Sequence, residues 1–198
     1  MDPNLTGNIL VAIVSTLLGG AVAIIAQVQI RRLYRTRLEQ THDNIYTPDG
    51  ETLDDGIFAT YHRIRLFNAG NETAKSVRPY LVHMDILNTK TQKWVRLFDS
   101  TMDLCWSYRG PIGAVDIPAK TPLFFDVLKV RSDSGVFIPQ TIVQPKVWID
   151  QLAKPGRYRM GFVISCENIK APLEGQLEFD WNGDWKGVEC HHLKTLSE

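Results

Sequence analysis

The sequence predicts a mainly β protein, an antiparallel β-sandwich preceded by one N-terminal transmembrane α-helix with a short juxtamembrane extension. Residues 3 to 30 form an unbroken run of 28 without an ionisable side chain. After residue 57, short runs of alternating apolar and polar residues recur between Gly, Pro and Asn turns. Beyond residue 41 only Val147 to Leu152 hints at helical periodicity, so the crossover helices of a parallel α/β sheet are missing.

The N-terminal run defines the first elements. After a short tail, residues 1–8, the window Ile9 to Val28 holds 15 Ala, Val, Ile or Leu in 20 positions. About 20 helical residues cross the roughly 30 Å hydrocarbon layer, and this window shows no polar stripe for a water-facing side. A transmembrane helix over 9–30 is therefore expected. The competing reading is a secretory signal peptide cut after Ala21-Val22-Ala23. Against it, residues 1–8 carry no Lys or Arg, and the apolar run continues past that site.

Arg31, Arg32, Arg35 and Arg37 follow before the first acid, Glu39. Basic residues beside a membrane segment stay on the cytoplasmic side, which predicts an N-terminus outside and everything after residue 30 inside the cell membrane. Ile30, Leu33, Tyr34 and Leu38 recur at helical spacing, predicting that the helix extends through a basic juxtamembrane stretch, 31–41. Small residues four apart, Thr16 and Gly20 in one stripe and Ser15, Gly19 and Ala23 in another, are candidates for helix association. A polar hinge, 42–56, contains the turn signal Thr47-Pro48-Asp49-Gly50.

The β-rich domain is placed at 57–187, with 188–198 as a tail. Its strands are read at Phe58 to Phe67, Ser76 to Leu87, Trp94 to Phe98, Leu123 to Val130, Tyr158 to Cys166 and Gln176 to Trp181. Asn68-Ala69-Gly70-Asn71 supplies the first tight turn. Trp94, Trp106, Phe124, Tyr158 and Phe162 are the expected core rings.

The segment from Arg63 to Val77, a strand followed by Asn-x-Gly and x-x-Ala-x-x-Val, resembles the opening of immunoglobulin-like, adhesion-type bacterial modules. Asp116 to Lys120 and Lys154 to Tyr158 are similar to later turn-to-strand junctions of such domains. The chain also resembles prokaryotic single-pass membrane proteins whose Ig-like domain ends in a Trp-x-Gly-x-Trp element, here Trp181 to Trp185. The resemblance covers most of 57–187, and because its motifs describe turns and packing it implies a fold and says little about activity.

Charge and motifs narrow the function classes. Lys plus Arg equals Asp plus Glu at 22 each, and residues 41–198 hold 18 basic against 20 acidic side chains. Bulk charge therefore disfavours a nucleic-acid partner. Arg63, Arg65, Lys75 and Arg78, with Tyr61 and Tyr80, could form a basic aromatic face, but a solvated outer face explains the same residues. Cys105, Cys166 and Cys190 are odd in number and widely spaced, which fits reduced thiols rather than a disulfide framework. Cys190-His191-His192 reads as a solvated tail, since neighbours on an extended chain point to opposite sides. No metal, cofactor or catalytic residue is assigned, because no GxSxG, P-loop, GxGxxG or HExxH occurs.

The expectation is a membrane-anchored binding or assembly module, with the lipid bilayer and a protein partner or second copy as its contacts. Trp106, Tyr108, Arg109, Trp181 and Trp185 are the candidate interaction residues, because aromatics and Arg dominate interface energetics. The alternative is a membrane-acting effector, as in prokaryotic defence, whose sandwich senses a ligand while its helices associate. Toxicity that depends on Gly19 and Gly20 separates the two.

Overall fold

Alternation of apolar and polar side chains dictates half-buried strands, and two such sheets must bury their apolar faces against each other. The computed structural model describes residues 20–29, 35–40, 45–46, 51–53, 56–108, 112–134, 137–143 and 154–195, the side chains of 45–46, 51–52 and 192–195 excepted. It divides into two units, 1–35 and 36–198. In the first, residues 20–29 are helical with exposed side chains, Gly20 and Ala23 among them. The rest of 9–30, with Ser15, Thr16 and Gly19, lies outside the described residues. Among the described residues no helix is long and apolar enough to cross a membrane.

The second unit is mainly β, with two antiparallel sheets. One is built on β4 (Phe58–Asn68), β8 (Pro122–Arg131) and β9 (Phe137–Pro139), with β4 paired to β8 and β8 to β9. The other runs β12 (Val188–Thr195), β11 (Leu173–Trp181), β10 (Gly156–Ser165), β5 (Ala74–Asn88) and β6 (Lys93–Asp103), while β7 (Val115–Ile117) pairs the start of β5. Each predicted strand is present, generally longer than its periodic core.

The N-terminal boundary differs from expectation. β1 (Leu38–Glu39), β2 (Ile45–Tyr46) and β3 (Glu51–Thr52) all pair antiparallel with β4, at Asn68 and Phe67, at Ile64 and Arg63, and at Ala59 and Phe58. They follow one another down the same edge as a broken strand. The predicted juxtamembrane helix, 31–41, therefore does not continue through Arg35–Gln40, and the predicted hinge, 42–56, contributes two strand segments. The open edge of β4 offers unpaired backbone groups, and satisfying them outweighs the helical spacing of Leu33, Tyr34 and Leu38. The turn Thr47–Gly50 and the segment Val147–Leu152 lie outside the described residues. The expected tail also changes, because Val188–Thr195 is strand β12 along β11.

The core lies between the sheets and is fixed by rings from both. Phe137 of β9 meets Tyr158, Phe179 and Trp181 of the opposite sheet at centroid distances of 4.7, 5.3 and 5.3 Å, all edge-on. Phe125 of β8 meets Phe162 at 5.8 Å. Trp106, Tyr158 and Phe162 are buried as expected. Trp94 and Phe124 are only half-buried, because their positions fall on the outward faces of β6 and β8.

Asn68 shows how one turn is held. Its Nδ2 donates to the carbonyls of Glu72 and Ile117, its Oδ1 accepts from Gly70 N–H, and its backbone bonds Thr121 and Lys120. At the same end Asn168 Nδ2 donates to Thr36 Oγ1 and the Thr73 carbonyl, while its Oδ1 accepts from Lys75 N–H. The chain is thus anchored to the sandwich from Thr36 onward.

Candidate functional site

On β4 the inward positions are Thr60, His62, Ile64 and Leu66, so Tyr61, Arg63, Arg65 and Phe67 point outward. Register sets Lys129 opposite Tyr61, Asp126 opposite Arg63 and Phe124 opposite Arg65 on β8. A bulge at His62/Arg63, where β8 carries an extra residue, keeps both strands in phase with the core. Arg63 is only 2% exposed. Its Nε donates to Asp126 Oδ1 at 2.9 Å, and Ser107 Oγ donates to the same oxygen. Its Nη1 donates to the Tyr108 hydroxyl, and its guanidinium lies 4.3 Å from the Tyr108 ring centroid and 5.0 Å from that of Tyr61. Lys129 Nζ lies 5.7 Å from the Tyr61 ring, and the Arg65 guanidinium 5.7 Å from the Phe67 ring. Cations and rings thus alternate across this face. Beside it, burial and the Asp126 carboxylate push the Cys105 thiol up.

Tyr108 stands out locally. It is 76% exposed, yet its backbone sits at φ +62°, a left-handed conformation that bulky residues rarely adopt. Arg63 grips its hydroxyl and its ring face. An exposed ring held in a strained backbone geometry is a presented group, and such strain gathers at binding sites.

A second charged cluster occupies the outward face of the other sheet. Asp85 of β5 is buried, with Oδ1 accepting from Arg96 of β6 and Oδ2 accepting from Arg159 of β10 at 2.8 Å. Trp94 covers the Arg159 guanidinium at 4.5 Å. The His83 ring lies over Gly161, where a β-carbon would come within 2.1 Å of its Cε1. Burial, and then Arg96, lower the His83 pKa despite Asp85 at 3.9 Å. One buried carboxylate shared by two guanidinium groups ties three strands together.

Between the sheets, His62 of β4 faces Cys190 of β12, with Nδ1 and Sγ 3.6 Å apart. Burial lowers the imidazole pKa to about 4 and raises the thiol to about 12. Both are neutral near pH 7, so the pair lacks the thiolate that nucleophilic catalysis requires. His191 points the other way and bonds Asp180 Oδ2 at 2.6 Å. Among the described residues no group of three or more His, Cys, Asp or Glu could hold a metal ion.

The structure separates the predicted interaction residues. Trp106 (1% exposed) packs edge-on against Phe125, and Trp181 (2% exposed) caps the core with its Nε1 donating to the Asp184 carbonyl. Neither ring is available to a partner. Tyr108 is exposed. Trp185 is half-buried, faces the exposed ring of Phe58 at 6.2 Å and carries Lys186 over it at 4.8 Å. Arg31, Arg32 and Arg109 lie outside the described residues. Arg35 is exposed, and Arg37 pairs with Glu39 at 2.8 Å. Sequence reasoning grouped Arg63, Arg65 and Tyr61 with Lys75, Arg78 and Tyr80, which β5 carries on the other sheet. It left out Phe67 and Lys129 and read Phe124 as a core ring, although outward parity against Ile64 and Leu66 was a readable signal for Phe67.

Compared with known proteins, the chain matches no family model, and no curated protein matches it.

Proposed function

We propose that this chain is a membrane-anchored, Ig-like binding or assembly module. The uncharged run of residues 3–30 followed by four arginines supports the anchor and its orientation, with the domain in the cytoplasm. Strand pairing supports the Ig-like reading: β4 pairs β8 in one sheet, while β5, β10 and β11 adjoin in the other. So does Tyr158, near the start of β10, whose hydroxyl donates to the Lys154 carbonyl four residues upstream, as the tyrosine corner of such sandwiches does.

The observation that carries the binding role is the clamped, exposed ring of Tyr108. Rigid aromatics lose little conformational entropy on contact, and Tyr is among the residues enriched in interface hot spots.

Reporter fusions at Glu198 and fractionation of the full chain test the anchor. The expected result is a cytoplasmic C-terminus in a product that only detergent extracts. Recovery of the full-length chain in the detergent-free soluble fraction overturns it. Crosslinking of the wild type against Tyr108→Ala tests the binding role, with loss of the crosslinked species as the expected outcome.

A further inference from the structure

We propose that the outer edge of β6 pairs antiparallel with the β6 of a second copy of this chain, joining the two sheets into one. This rests on the reading of the domain as a binding or assembly module and not on its anchor. A strand at a sheet margin presents backbone N–H and C=O groups that a further strand can satisfy. Among the described residues β6 pairs with β5 alone, so its other side is such a margin. The remaining margins are shorter or occupied: β9 has three residues, β12 has eight, and β1 to β3 run along β4. At the end of β6 the Asp103 carbonyl accepts from Ile142 N–H. That leaves Lys93 to Met102, about 33 Å of strand.

Burial points to the same edge. β4, β5, β8, β10 and β11 each bury several side chains, whereas β6 buries none. Val95 is 45% exposed opposite Ile86, and Leu97 and Met102 touch the core while staying partly exposed. An added strand brings these side chains further neighbours. Charge decides the occupant. Lys93 and Arg96 lie in the first half of β6, Asp99 and Asp103 in the second. An in-register parallel copy sets like charges side by side, whereas a reversed copy sets each half against its opposite. Edge charges keep unrelated strands away, and the reversed strand of a second copy matches them. The bulge at Met84/Asp85 gives β6 the extra residue Leu97, which leaves Arg96 and Asp99 both on the outward face, opposite Asp85 and His83. With a two-fold axis between Leu97 and Phe98, Arg96 of each copy meets Asp99 of the other, and Ser100 meets Val95. Such an axis closes, so pairing ends at two copies rather than running on as a fibre.

The test is sedimentation of the full chain in detergent, together with photocrosslinking from p-benzoylphenylalanine placed at Ser100, an exposed position. A reversible dimer is expected, with a crosslinked product of twice the chain mass whose adduct maps by mass spectrometry to the neighbourhood of Val95 in the second copy. Asp99→Lys turns two attractive cross-strand pairs repulsive and should raise the dimer Kd about tenfold at low salt, while Asp99→Glu should keep the wild-type value. In about 1 M salt the gap between wild type and Asp99→Lys should close, which a merely structural role of Asp99 would not produce. Circular dichroism matching the wild type certifies the fold of each variant. Wild type that sediments as a monomer throughout, an adduct that maps to Ser100 itself, or a dimer that Asp99→Lys leaves unchanged at low salt overturns the proposal. In expressing cells, a Ser100 adduct to a different protein in place of a second copy overturns the occupant. A crosslinked species that depends on Tyr108, with no adduct from Ser100, overturns this pairing and leaves the binding-module reading standing. A Ser100 adduct that Tyr108→Ala leaves intact supports the pairing whatever becomes of the role given to Tyr108.

Discussion

Acidification should destabilise the sandwich through His62. The imidazole sits in the core between β4 and β12, against Cys190 Sγ at 3.6 Å, and burial lowers its pKa from 6.5 to about 4. The folded pKa is depressed, so the stability linked to this group is complete above the unfolded value of 6.5. It is lost as pH falls from 6.5 towards 4, because the unfolded chain takes a proton that the native core refuses. A shift of about two and a half units caps the loss at about 3 kcal/mol. That is a large share of the 5–15 kcal/mol typical of a domain (of order 10 kcal/mol). Urea unfolding of the full chain in detergent, followed from pH 7 to pH 4, measures the effect. His62→Leu removes the titrating group while keeping an apolar side chain, so the difference between the two pH profiles isolates His62 from the carboxylates that also titrate. Wild type should lose about 3 kcal/mol more than His62→Leu across that window. Parallel profiles, or an imidazole proton resonance that titrates near pH 6.5, would refute the buried, neutral histidine.

Further outcomes follow from the same structure. Asp85→Ala leaves Arg96 and Arg159 converging on an empty position and should cost about 3 kcal/mol by urea unfolding, whereas Arg96→Ala, at a more exposed partner, should cost about 1 kcal/mol or less. Gly161→Ala forces the His83 ring off the sheet and should lower stability by about 1 to 3 kcal/mol, with a displaced His83 resonance as the specific signature. Asn68→Ala orphans the carbonyls of Glu72 and Ile117 and the N–H of Gly70, costing about 2 kcal/mol in thermal or urea unfolding. Cys190, with its thiol pushed up to about 12, should resist alkylation at pH 8 in the native chain and react once urea unfolds it, as mass spectrometry of the 188–195 region would report.

The periodic strands were readable because their cause is local. Tyr158, Met160, Phe162 and Ile164 alternate with outward residues whatever lies across the sheet, and all four enter the core. The same reasoning failed for Leu38–Glu39, Ile45–Tyr46 and Glu51–Thr52. Two-residue strands carry no period of their own and exist only because the edge of β4 supplies partners. For Trp106 the sequence pointed both to the core and to a recognition loop, and for Trp181 to a recognition loop; packing against Phe125 and Phe137 decides that each ring closes the core.

The candidate sites follow the same division. Arg63 and Asp126 are 63 positions apart, Arg159 and Asp85 74, and His62 and Cys190 128. No local rule relates such residues, because their meeting depends on which strands become neighbours and in what register. The amino-acid order alone settled that strands alternate, where turns fall and that residues 3–30 carry no charge, since these properties belong to neighbouring side chains. The folded arrangement decided which charges are buried, which rings are offered to solvent and which edge the N-terminal segment completes, since those depend on desolvation and pairing between distant parts of the chain.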